Sequence, residues 1–251
     1  MEENKITPTK EQERTIELLN IKIRRAIKIG KSIDAVILIF LLLIGAYIVS
    51  SIYSDIKFQN HGQDLVKYHD FDELLKTNPD TVAWITMEGT KIDLPVVQGK
   101  DNFEYLDKDF YGDHYTAGTL FLDYKNTKDF SDNYNIIHGH HMTNGNMFGD
   151  LTRYQKKDFF EKHKAGTLLT PTYDYDLEVF AVAVLNAYDA TVYNPKGSSK
   201  DVYNYVMKIA DNKRDISLDN GKVLTLSTCS GEMNENRVVV FTKMYNKRTH
   251  E

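Results

Sequence analysis

The chemistry available to this chain starts from a single thiol. Cys229 is the only cysteine in 251 residues, so it can neither close an intramolecular disulfide nor build a Cys-based zinc site. It ends the run Val223-Leu-Thr-Leu-Ser-Thr-Cys229, and Arg237 opens a second run, Arg237-Val-Val-Val-Phe-Thr-Lys243. The spacing predicts a strand that stops at the cysteine, a Gly-containing reversal, and a return strand that sets Arg237 across the hairpin mouth from Cys229. A thiolate, not a thiol, is the nucleophile, and a neighbouring cation lowers the cysteine pKa. The same guanidinium can hold a developing oxyanion. Taken singly, Cys229 reads equally as an inert buried thiol and Arg237 as a solvated strand-edge charge.

The second concentration of chemistry is Asn135-Ile-Ile-His-Gly-His-His-Met-Thr-Asn-Gly-Asn-Met-Phe-Gly149. A strand is expected to end near His138. Gly139 then permits a sharp change of direction, and His140 and His141 fall on a loop. Imidazole exchanges protons near neutral pH and is the usual partner of a catalytic cysteine. Three histidines in four residues also admit another reading, a membrane-tethered metal- or ligand-binding module built on His138, His140 and His141. Against a metal, one short segment would have to wrap the ion, and no H-E-x-x-H or Cys-rich partner set accompanies it. Neither a metal nor another cofactor is expected. His140 precedes Cys229 by 89 residues; this order does not fit papain-like enzymes, and the caspase signature around the cysteine is missing.

The elements that must position these groups are strand-rich. From Thr81 onward, short apolar or alternating runs are separated by turn residues: Val82 to Ile85, Leu94 to Val97, Thr119 to Asp123, Asn135 to His138, Thr167 to Thr170, Leu177 to Ala187, Val223 to Ser227 and Val238 to Met244. About eight strands suffice for a closed β-barrel. Ser198 to Ala210 is different, with capping residues at its start and Val202, Tyr205, Val206 and Ile209 on one helical face. Leu65, Val66, Tyr68, Phe71, Leu74 and Leu75 predict one or two short helices before Asn78-Pro79.

Ahead of the barrel, Ala35 to Ser54 holds twenty residues without a charged side chain or histidine. At about 1.5 Å per residue that run matches a bilayer's hydrocarbon thickness, roughly 30 Å. Arg24, Arg25, Lys28 and Lys31 precede it, whereas Asp55 and Lys57 follow. The positive-inside rule then places the N-terminus in the cytoplasm. The run is longer than a signal-peptide core and no A-x-A pattern closes it. The expected organisation is a cytoplasmic tail over 1–32, a transmembrane signal-anchor over 33–54, a linker with helices over 55–79, and an extracellular catalytic domain over 80–251. Overall the chain carries 31 Lys+Arg against 36 Asp+Glu, a formal charge of -5, which disfavours a nucleic-acid partner.

A signal-anchor, a strand-rich domain, a Gly-His motif and T-L-S-T-C with Arg eight residues later together resemble the sortases of Gram-positive bacteria. The class B pattern is carried by Gly139-His140-His141-Met142 and Gly145-Asn146-Met147-Phe148, and by the helix near Ser198 to Ala210. The other Cys–His transpeptidase class, the L,D-transpeptidases, has a Ser-His-Gly-Cys context that is missing here.

The resemblance implies a mainly β fold: a closed eight-stranded sortase-type barrel with N-terminal helices and a helix in the loop before the cysteine strand. It implies that His140, Cys229 and Arg237 are catalytic, with Ser227 and Thr228 helping to position substrate. His138 stands where relatives often have Tyr, and the Gly-His-His-Met register favours His140. The implied reaction is that of a thiol transpeptidase. Cys229 cleaves a C-terminal sorting signal of a secreted protein after Thr, through a thioacyl intermediate, and an amine of a lipid II-type peptidoglycan precursor resolves it. The implied signal is Asn-Pro-x-Thr-Asn, with Gly accepted at its end and Ser at its start.

Overall fold

The computed structural model describes residues 10–66, 70–219, 221–229 and 235–249. The chain divides into two compact units, 1–60 and 61–251. Helix α1 (Lys10–Val66) runs for 57 residues, from the first unit into the opening residues of the second. The section Glu17–Tyr53 is long and apolar enough to cross a membrane, and none of its most apolar window is buried by protein. The sequence predicts a span followed by separate short helices, yet α1 continues to Val66. No proline interrupts residues 10–66, so no step of the helical hydrogen-bond ladder is forced to break.

In the second unit a short helix, α2 (Phe71–Thr77), is capped by the Asp70 carboxylate, which accepts from the Asp72 N–H at 2.9 Å. Its buried Phe71 and Leu74 pack with Trp84, Val97, Tyr105, Phe110 and Phe121. The strands follow: β1 (Thr81–Met87), β2 (Asp93–Val97), β3 (Leu120–Leu122), β4 (Tyr134–Gly139), β5 (Ala165–Leu169), β6 (Tyr173–Asn186), β7 (Asn212–Lys213), β8 (Lys222–Cys229) and β9 (Asn236–Thr249). Their hydrogen-bonded order is β5-β1-β2-β3-β4-β8-β9-β6, and β6 also pairs with β5, so eight strands close into a barrel. The two-residue β7 adds beside β6 at Ala181 and Val182. All eight expected strands are present. The sequence gives no sign of β7, nor of the 3-10 helix Gly149–Gln155 and helix α3 (Lys157–Lys162) that follow the histidine loop.

Two pairings are parallel, β2 with β3 and β4 with β8; the remainder are antiparallel. The expected helix forms as α4 (Ser199–Ile209), with Ser198 as its N-cap. Its Val202 and Val206 are buried against Tyr134, Ile136, Phe180, Val223, Val239 and Phe241. Burying each valine contributes about 1.5–3 kcal/mol. These contacts mark the barrel's outer face along β4, β8 and β9, because α4 lies on it. Successive strand residues alternate between faces, so Ser227 shares that outer face with Val223, and Thr228 turns inward.

Candidate functional site

Strand register brings the three chemical groups together. Along the parallel β4–β8 ladder His138 lies opposite Ser227 and Gly139 opposite Thr228. The next residue, His140, therefore reaches the level of Cys229. On the other side of β8, the antiparallel ladder places Arg237 opposite Cys229. Three adjacent strands thus present His140, Cys229 and Arg237 side by side at one end of the barrel. The hairpin expected from the sequence exists in this register; the turn residues 230–234 lie outside the described part.

Gly139 is required by packing rather than by backbone conformation. A Cβ there would lie 2.4 Å from Leu120 Cδ2 and 2.9 Å from Phe148 Cδ2. Its bare backbone lets those side chains close beneath the histidine. The loop after it is a tight excursion: the Phe148 N–H donates to the His140 carbonyl at 3.0 Å, His141 pairs with Met147, and Gly145 takes φ +86°, a conformation that favours glycine.

His140 is half-buried and its Nε2–H donates to the Leu106 carbonyl at 2.8 Å. A carbonyl only accepts, so Nε2 carries a proton and Nδ1 is the nitrogen left for proton exchange. Leu106 lies in the connection between β2 and β3, and no sequence signal marks it, because a backbone carbonyl has no side-chain signature.

His138 is held differently. Its Nε2–H donates to Asp123 Oδ2 at 3.2 Å, with side-chain exposures of 16% and 9%. Its ring lies against Phe121, with centroids 5.3 Å apart, and is stacked with Tyr193 at 6.3 Å. Burial works to raise the Asp123 carboxyl. Hydrogen bonds from His138, the Lys125 N–H and Asn102 outweigh that effect and hold it below the usual carboxylate range. Tyr193 in turn shares a 2.8 Å hydrogen bond with the Ser227 hydroxyl. Asp123 and Tyr193 are further site residues that the sequence did not single out.

Ser227 is 1% exposed beneath Tyr193, and Thr228 is fully buried, its hydroxyl finding no hydrogen-bond partner among the described residues. His138 and His140 commit Nε2 to different partners, and among the described residues no three side chains with metal-ligating chemistry converge. The histidine cluster is therefore divided between two local tasks.

Comparison with known proteins identifies the family of the domain that carries these residues. A sortase domain model matches residues 85–245. Sortase B of Listeria monocytogenes is 34% identical over 183 residues, covering 70% of this chain and 74% of the relative. A Streptococcus pyogenes class B sortase involved in pilus biogenesis superimposes with a TM-score of 0.66 at 35% identity, covering 70% of this chain and 98% of that one. A Staphylococcus aureus sortase B–substrate complex gives 0.66 at 30% identity, with coverage of 76% and 94%.

Proposed function

This chain belongs to the sortase family as a class B cysteine transpeptidase, and from that premise we propose how its residues perform the reaction and on what. The observation that carries the reading is the shared level of Cys229 on β8, Arg237 on β9 and His140, the residue that directly follows β4. The donor is a secreted protein bearing an Asn-Pro-x-Thr-Asn-like sorting signal. The acceptor is an amine of the peptidoglycan precursor.

In the first half-reaction the Cys229 thiolate attacks the Thr carbonyl, and a C–S bond forms. The oxyanion develops beside the Arg237 guanidinium, a charge that persists at any physiological pH. As the C–N bond breaks, the proton on His140 Nδ1 passes to the departing amine. In the second half the acceptor amine attacks the thioester, gives its proton to Nδ1, and releases the thiolate. The Leu106 carbonyl accepts from Nε2–H throughout, so it keeps the ring oriented in both protonation states. Energy of the original peptide bond is retained in the thioester, and no nucleotide is consumed.

Ser227 acts next to the thiol on the peptide-facing side, with Tyr193 above it. Thr228, turned to the barrel interior, supports the strand carrying Cys229. In this reading α1 anchors the enzyme through residues 35–54, with the tail cytoplasmic and the barrel extracellular.

Incubation with a sorting-peptide library, followed by intact-mass analysis, tests the assignment. The enzyme should gain the mass of the peptide portion ending in Thr, and Cys229→Ala should gain none. Turnover by Cys229→Ala, or cleavage at another bond, would overturn it.

A further inference from the structure

His138 is the second buried histidine beside the site, and the reaction derived above does not use it. Its ring is held in place: Nε2 is committed to Asp123 at 3.2 Å, and the Phe121 and Tyr193 rings lie against it with centroids 5.3 and 6.3 Å away. Asp123 is itself locked, accepting from Asn102 Nδ2 at 2.8 Å and from the Lys125 N–H at 3.0 Å. An ionised, multiply bonded carboxylate is a rigid anchor for a ring that donates to it.

What His138 touches next is the connection between β6 and α4. Tyr193 belongs to that connection, stacks on His138 at 17° between ring planes, and reaches Ser227 Oγ at 2.8 Å. The same segment is pinned once more through its backbone, where the Tyr134 hydroxyl donates to the Val192 carbonyl at 2.7 Å. Asp189 shapes the turn, its Oδ1 accepting from the Thr191 and Val192 N–H groups at 3.0 Å each. The backbone pin sets where the segment sits, while His138 and Ser227 set where the Tyr193 ring points. Because Ser227 is 1% exposed and Tyr193 is partly exposed, a peptide laid along β8 beside Cys229 meets the tyrosine ring first.

We propose that His138 is a positioning residue for the peptide groove: anchored on Asp123 and stacked on Tyr193, it fixes the groove wall over Ser227. It thereby governs how tightly the acyl-donor peptide binds, not how fast the thiol reacts. This rests on the function proposed above. Its expected size is that of re-ordering one rotamer-rich side chain on binding, about threefold to tenfold in KM.

The test uses the full chain in detergent. His138→Ala should raise KM for the sorting peptide about threefold to tenfold, with kcat and the iodoacetamide alkylation rate of Cys229 each within about twofold of wild type. Tyr193→Phe keeps the stack and loses only the hydroxyl, so its KM should rise less. The double variant should be no worse than His138→Ala alone, because both act through one ring. A loss in kcat at unchanged KM would make His138 a proton carrier and overturn the proposal, as would strictly additive effects. The Tyr193 ring supplies a readout that needs no peptide. In His138→Ala the Tyr193 Hα–Hβ couplings should move from those of a single χ1 rotamer toward rotamer averaging, while amide exchange in β4 and β8 stays unchanged. A Tyr193 ring that keeps its single rotamer overturns the inference even where the peptide class proves different; failure of the wild type to turn over any sorting peptide would instead count against the proposed function.

Discussion

At the residue scale, two histidines two positions apart take different tasks because their ring nitrogens find different acceptors. His138 Nε2 meets a carboxylate and His140 Nε2 meets a backbone carbonyl. When the His140 ring is neutral its one proton should reside on Nε2, facing the Leu106 carbonyl. Nitrogen-15 shifts of the imidazole will show that tautomer, and a neutral ring protonated on Nδ1 with Nε2 bare would contradict the roles assigned to the two nitrogens. His140→Ala and Arg237→Ala should each lower kcat/KM by about 10²- to 10⁴-fold, the span associated with losing a general acid–base or an oxyanion donor. His141→Ala, whose residue is held in the loop by its bridge to Met147, should stay within about threefold in a steady-state assay.

At the element scale, the connection between β6 and α4 is fastened to the barrel by charges as well as by rings. Lys196 in that connection pairs with Asp132, before β4, at 2.9 Å. Burial works to raise the Asp132 carboxyl. The Lys196 ammonium, the Thr127 N–H and the Asn126 amide outweigh it and bring the value from 3.8 down to about 2. A depressed folded value means that the ionised form is favoured by folding. The contribution is present above pH 3.8 and is lost as pH falls through about 2. With Lys196 largely in solvent, screening leaves about 1 kcal/mol of it. Asp132→Asn should therefore lower stability by about that amount at pH 7 and leave it unchanged near pH 2. Denaturant midpoints followed through Trp84, the single tryptophan and fully buried, will measure it; an equal loss at both pH values would mean that the pair is not the cause.

At the whole-molecule scale, a section of α1 apolar enough to cross a membrane stands between a basic and an acidic stretch of sequence. Residues 1–31 hold 8 Lys+Arg against 5 Asp+Glu, whereas 51–251 hold 23 against 30. That asymmetry is what the positive-inside rule reads. In wall-stripped cells the chain after Ser54 should be cleaved by external protease while the tail before Ser32 is protected. Recovery of a freely secreted domain lacking residues 35–54 would remove the anchor.

The barrel was legible in the residues. Alternating apolar runs mark strands whatever their partners, so all eight strands of the closed ring could be counted. A twenty-residue uncharged run marks a candidate span, capping serines mark α4, and a strand run ending at a lone cysteine, with a second run opening at arginine, marks a hairpin. Pairing between distant strands has no such local signature. That β4 runs parallel beside β8, and so carries His140 to the level of a cysteine 89 residues later, is decided by how the sheet closes. The same holds for the Leu106 carbonyl on His140 and for the chain from Asp123 through His138 and Tyr193 to Ser227. Sequence periodicity encodes which face a side chain takes; which acceptor lies within about 3 Å of a ring nitrogen depends on tertiary packing, because the partner comes from another strand or a loop far along the chain.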